Sequence, residues 1–321
     1  MSTLKRNKAL TQKLIILAVL AVMFLFFSIV QKGFASYANI MTIALSTCIN
    51  GLLALGVTFC ITTAGIDLSL GTTMTFTCVM SGIAFTKWGF PIWMAIIVGF
   101  AVGALCGFLS GFGVSYMGLP PFIATLSMQM MTKGLSLVIT GCTPVYFTKS
   151  LTYQNIALGN FLGINGFYNA FALFILGVII AWILYSKTLL GRYTQAIGSN
   201  EEAARLSGIN TKNWKMLVYT VSGLFSAFAG LIMSSRLNSA QPQLGTGYET
   251  DAIAAAVIGG TSMSGGEGSI IGTVIGAFII STLTNGLRSM GVATEWQTAI
   301  TGAVLAGSVY FDSLRKRSRK D

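Results

Sequence analysis

The chain contains no histidine, and only 9% of its 321 residues are charged. The first absence excludes a histidine-based catalytic triad and works against zinc or haem ligation, which draw on imidazole as base or ligand. The second sets the chain far below the roughly 25% of charged residues in an average soluble domain. Cysteine is sparse: Cys48, Cys60, Cys78, Cys106 and Cys142 show no paired metal-ligand spacing, and the first four fall in apolar stretches, as small core residues do. No Gly-x-x-x-x-Gly-Lys-Ser/Thr phosphate loop occurs, so the chain is not expected to hydrolyse ATP itself. No convergent group of Asp, Glu or Cys suggests an enzyme.

What is present is apolar: 54% of residues are hydrophobic and the mean hydropathy is +0.75. Residues 14–31, 33–66 and 88–132 carry no charge at all. Uncharged runs of about 20 residues cross roughly 30 Å of hydrocarbon as helices. A membrane β-barrel would need short segments of alternating polarity, whereas these runs are apolar on every face. The expected fold is therefore all-α and polytopic, with about ten transmembrane helices. The runs place them near 14–30, 40–62, 70–86, 91–113, 120–141, 166–186, 213–235, 250–262, 269–287 and 295–312. Residues 14–30 lack a clear small-residue cleavage site and read as a first span rather than a secretory signal. The segment 250–262 is too short to cross alone and reads as a broken or re-entrant helix.

A net charge of +11 would suggest nucleic acid in a soluble protein, but here the basic residues flank apolar runs and read as topology signals. Lys5, Arg6, Lys8 and Lys13 precede the first span; Arg315, Lys316, Arg317, Arg319 and Lys320 follow the last. Both termini are expected to face the cytoplasm. An even number of spans then puts the segment holding Lys187, Arg192, Arg205, Lys212 and Lys215 inside as well. The connection 142–165, with Lys149 as its one charge, is expected outside. Acidic residues at two breaks, Asp67 and Asp251, hint at an inverted repeat of two five-helix halves, a pattern that marks the central pathway of transporters.

Residues 191–209 differ from their surroundings and carry the pattern of a short capped helix. Ser199 or Asn200 can cap its start, Glu201 and Glu202 suit the positive end of the helix dipole, and Gly208 suits the exit. Ala203 and Ala204 give a small face, and Arg205 follows. A surface helix joining two spans is the plain alternative. The order Gly198, Asn200, Ala203, Ala204, Gly208, Ile209 is, however, similar to the Gly-x-Asn-x-x-Ala-Ala-x-x-x-Gly-Ile coupling loop of sugar-type permeases of bacterial ABC importers. Residues 65–71, 121–126, 240–242 with 245–249, and 251–255 with 259–262 resemble the same family in the same order, with a likeness to ribose permeases in particular.

That resemblance implies one transmembrane permease domain over 1–321, with a cytoplasmic coupling loop at about 187–212, in the bacterial inner membrane. It implies an ABC ATPase subunit as partner, an extracytoplasmic sugar-binding protein, and a second permease copy, with a homodimer expected. No cofactor is expected on this chain; ATP and magnesium belong to the ATPase. No nucleic acid partner is expected, and lipid surrounds the spans.

Individual residues leave alternatives open. Asp67 stands between two apolar runs, where an ionisable group is a pathway candidate, or a cap accepting from the Ser69 or Leu70 backbone. Ser69 and Thr125 lie in the motif segments. Lys133, about 20 Å along the helix after Pro120, either faces a polar pathway or snorkels outward. Arg236, Glu249 and Asp251 are read as solvated charges beside an outside loop. An ion-coupled secondary carrier, or an ABC permease for another small polar solute, would fit the same span pattern.

Overall fold

The computed structural model describes residues 3–147, 151–164 and 166–317. Lys149, Arg319 and Lys320, used above as topology signals, lie outside the described residues. The helices are, in order, α1 (Thr3–Val30), α2 (Tyr37–Thr62), α3 (Leu70–Thr86), α4 (Ile92–Ser115), α5 (Pro121–Thr140), α6 (Leu151–Leu158) and α7 (Asn169–Lys187). They continue as α8 (Leu189–Ser199), α9 (Glu201–Leu206), α10 (Thr211–Leu237), α11 (Tyr248–Ile258), α12 (Ile270–Ser289) and α13 (Thr294–Arg317).

Among the described residues, seven helices are long and apolar enough to cross a membrane: α1, α2, α4, α5, α7, α10 and α12. At 17 residues α3 is apolar but shorter. The 11 residues of α11 reach only about 16 Å at 1.5 Å per residue, too short to cross alone, as the sequence of this segment suggested. The structure adds elements to the connection 142–165. β1 (Val145–Tyr146) pairs antiparallel with β2 (Ser239–Ala240), and α6 and a 3-10 turn (Phe161–Gly163) follow. Phe147 stacks on Tyr153 at 3.9 Å between ring centroids, and both are buried, so this connection is packed onto the bundle.

The centre of the bundle is α2. From Thr47 to Thr62 every residue is buried, which suits a helix apolar on all its faces. Around it pack α7, α10, α11 and α12. The closest pairing is α4 with α10, and a stripe of Gly103, Gly107 and Gly111 explains it. A Cβ on Gly107 would lie 2.2 Å from the Tyr219 carbonyl oxygen, so only glycine lets these backbones approach so closely.

Candidate functional site

Two regions at opposite ends of the bundle carry the polar chemistry. At one end, α7 is followed by the short helices α8 and α9. The side chain of Asn200 accepts from the Ala203 amide at 3.0 Å, capping α9, and Gly208 takes φ +84° at its exit. Glu201 pairs with Lys215 on α10, while Glu202 pairs with Arg205 one turn on. Being exposed, the second pair adds little stability; the first ties α9 to the start of α10.

The capped segment rests on the C-terminal end of α2. A Cβ on Gly198 would fall 1.8 Å from the Thr62 carbonyl oxygen and 2.5 Å from the Gly266 amide nitrogen. That carbonyl already accepts from the Gly266 amide at 2.9 Å. Thus α8, the end of α2 and the glycine-rich turn before α12 meet in backbone contact.

From this contact the chain enters the break between α2 and α3. Asp67 is buried there; one carboxylate oxygen accepts from the Ser69 amide at 2.9 Å and its hydroxyl at 2.7 Å, and the other from the Ser222 hydroxyl on α10 at 2.7 Å. The Ile66 carbonyl accepts from Tyr219 on α10 at 3.3 Å and from Thr125 on α5 at 3.4 Å. The capping expected of Asp67 is present, but it is one part of a clamp joining the break to α10. Asp67 lies outside the spanning helices, and burial pushes its carboxyl above the usual range against the opposing pull of the Ser69 and Ser222 hydrogen bonds.

At the other end lies a polar cavity of about 430 Å³. Its walls come from the first half of α2 (Ser46, Asn50), the end of α10 (Arg236), the start of α11 (Tyr248, Asp251), the end of α12 (Ser281, Asn285, Arg288) and the start of α13 (Gln297). Arg236 and Asp251, expected as solvated loop charges, instead line this space. Glu249 is also not solvated. It is 6% exposed and accepts from the Gln129 side-chain amide at 2.9 Å and the Gly247 amide at 3.1 Å, which closes the first turn of α11.

Residues 39–309 match the family described as the permease component of branched-chain amino acid transport systems. The chain belongs to this family. The permease is 41% identical to the ribose import permease of Bacillus subtilis (strain 168), over 91% of its own length and 89% of that protein. It is 37% identical to the ribose import permease of Escherichia coli (strain K12), covering 98% and 95%. The xylose transport system permease of the same strain is 35% identical over 94% and 91%. A solved structure described as an inward-facing conformation of a metal-chelate type ABC transporter superposes with a TM-score of 0.51. At 16% identity over 95% of the permease and 99% of that chain, it shows the fold alone.

Of the residues singled out in sequence, the permease brings Asp67, Ser69 and Thr125 together at the α2–α3 break. Lys133 is separate, exposed on α5 beside the exposed Met130 and Met131. In α9 the small face is divided: Ala204 is 6% exposed and packs within its own chain, whereas Ala203 is exposed. Leu206, passed over in the sequence, is 80% exposed. A large apolar side chain standing free on a charged helix is the signal that would have found it. The cavity residues Asn50, Ser281 and Asn285 were also missed, because uncharged polar residues inside apolar runs give no distinctive pattern.

Proposed function

We propose that the chain is the membrane-spanning subunit of an ATP-driven importer for a monosaccharide of the ribose and xylose type. The observation that carries this reading is the seating of α8 and α9. A short, capped helix, α9, with an exposed Leu206 follows α8, which makes backbone contact with the end of α2 through Gly198, and α9 itself is joined to α10 by the Glu201–Lys215 ion pair. Motion imposed on α9 from outside the membrane is thereby passed to the centre of the bundle.

In this reading Leu206 and Ala203 meet an ATPase subunit, which holds ATP and magnesium. A soluble binding protein delivers the sugar at the opposite end, where the polar cavity lies, and rocking of the helices exposes the pathway to each side in turn. Gly198, Asn200, Glu201, Arg205 and Gly208 hold α9 in place for that contact. Ten helices cross or enter the bilayer of the bacterial inner membrane, with α3, α11 and α13 joining the seven long apolar ones and both termini on the α9 side. A second copy of the chain covers α5. Exposure of Lys133 to lipid in mid-span is costly, and a protein or aqueous partner on that face removes the cost.

The similarity to ribose and xylose permeases at 35–41% identity over most of the chain directs the substrate reading toward pentoses. The test is reconstitution of the chain in proteoliposomes with its ATPase and binding protein. Pentose uptake that needs ATP and all three components is expected. Uptake driven by an ion gradient without the ATPase would overturn the assignment.

A further inference from the structure

Between α6 and α7, at the end of the bundle opposite α9, the chain makes a hairpin. Asn160 and Tyr168 pair in an antiparallel bridge, the Phe161 amide donates to the Phe167 carbonyl at 2.8 Å, and the two phenylalanine rings lie 5.8 Å apart. Its base is fixed to both flanking helices. The Asn169 amide donates to the Gly159 carbonyl at 2.8 Å, and the Asn169 side chain to the Asn155 carbonyl at 2.7 Å. The tip carries Leu162, 83% exposed, and Ile164, 56% exposed. Leu162 takes φ +52°, a left-handed conformation that an L-residue adopts at a cost. Two large apolar side chains held out by a fixed hairpin mark a surface that something apolar covers.

Three observations identify the cover as lipid. The first is composition: residues 151–186 contain no charge, so neither α6 nor the hairpin offers the charged groups that steer a soluble partner.

The second is level. The 19 residues of α7 span about 28 Å, against roughly 30 Å of hydrocarbon. Lys187 lies over the Trp182 ring at 5.3 Å and marks one membrane interface, so Asn169, next to the hairpin, comes to the other. Tyr37, at the start of α2, shares that level: its hydroxyl occupies the space where a side chain on Gly166 would begin. Tyrosine is enriched at such interfaces.

The third is lateral position. Ile175, Ile179 and Ile183 form an exposed stripe one turn apart along α7, so this helix stands at the perimeter of the bundle, and the hairpin runs directly into it.

We infer that the hairpin is an interfacial anchor, with Leu162 and Ile164 inserted among the headgroups and first methylenes of the leaflet opposite α9, where they fix the level of α7. The inference does not depend on which solute crosses. A soluble binding protein seated on the tip is the rival occupant.

The test places a nitroxide label on Leu162→Cys, and separately on Ile164→Cys, in a Cys142→Ser background, because Cys142 is the exposed native cysteine among the described residues. The permease is reconstituted in liposomes with its ATPase subunit. Both labels are expected to collide with oxygen, which partitions into hydrocarbon, at least threefold more often than with a water-soluble nickel chelate. A preference for the chelate would put the tip in water, and few collisions with either would put it inside protein; each overturns the anchor. So does a label that meets the chelate freely until loaded binding protein is added, which would assign the tip to that protein.

A second measurement guards against a label that carries the tip into lipid by itself. The unlabelled Leu162→Cys thiol must ionise in water to react. In the same liposomes it is expected to meet a charged maleimide at least twentyfold more slowly than N-acetylcysteine does in the same buffer. A smaller difference would show a tip open to water and overturn the proposal.

Discussion

The Ser222 hydroxyl donates to Asp67 at 2.7 Å, across 155 positions of sequence, and joins the break between α2 and α3 to the middle of α10. Tyr219, one turn earlier on α10, reaches the Ile66 carbonyl in the same break. Because α10 begins directly after α9, the clamp lies on the path from the exposed helix to the core.

The clamp predicts an order of stabilities. Ser222→Ala removes one donor from a carboxylate that keeps two, at a cost of about 1 kcal/mol. Asp67→Ala strands the Ser69 and Ser222 donors in a buried site and opens a small void, at about 3 kcal/mol. Thermal unfolding of the purified permease should show a clearly lower midpoint for Asp67→Ala than for Ser222→Ala. Equal midpoints would mean that the carboxylate contributes nothing beyond its link to Ser222.

Gly198→Ala forces a methyl group to within 1.8 Å of the Thr62 carbonyl oxygen. Backbone on both sides cannot give way as a flexible side chain would, so α8 and α9 must lift from α2. Uptake is expected to fall by at least tenfold while the chain still inserts in the membrane. Gly113→Ala on α4 is the control. Its Cβ would meet Ala124 at an ordinary 3.5 Å, and it should transport as wild type.

These contacts show what the sequence reveals and what it hides. Long uncharged runs mark α1, α2, α4, α7, α10 and α12, and α5 as far as Lys133, because crossing hydrocarbon imposes a length and a composition that no other constraint imitates. The cap at Asn200 and the exit at Gly208 were legible for the same local reason: each acts within one turn of its own position. Partnerships such as Asp67 with Ser222 depend on which helix faces meet. Arg236, Glu249 and Asp251 show the resulting error. Their sequence surroundings resemble a solvated loop, yet the start of α11 folds inward and buries them in part or in full. Lys133 could be placed on its helix, but not on a face of it.

On α9, neighbouring positions should behave differently. Leu206→Asp changes an exposed side chain and should leave the thermal stability of the isolated permease within about 0.5 kcal/mol. It should nevertheless abolish co-purification with the ATPase subunit. Ala204→Arg places a long cation where a methyl group is buried, and should lower the stability of the permease alone. A Leu206→Asp permease that retains its ATPase and full uptake would show that α9 is a simple connection between spans.

The direction of the chain across the membrane can be read from single thiols. Cys142 is exposed just beyond α5, whereas Cys48, Cys60, Cys78 and Cys106 are buried. Thiol reagents require access, so labelling of the wild-type chain should be confined to one residue. Cys142 lies beyond the end of α5, across the bundle from α9, because Thr125 at the start of α5 contacts the same break that receives α8. A membrane-impermeant maleimide applied to intact spheroplasts should therefore label Cys142. In a Cys142→Ser background, Ala203→Cys should be labelled only after the membrane is opened, if α9 lies on the cytoplasmic side as proposed. Labelling of both positions from outside would contradict the orientation drawn from the basic residues around 187–215, and with it the site proposed for the ATPase.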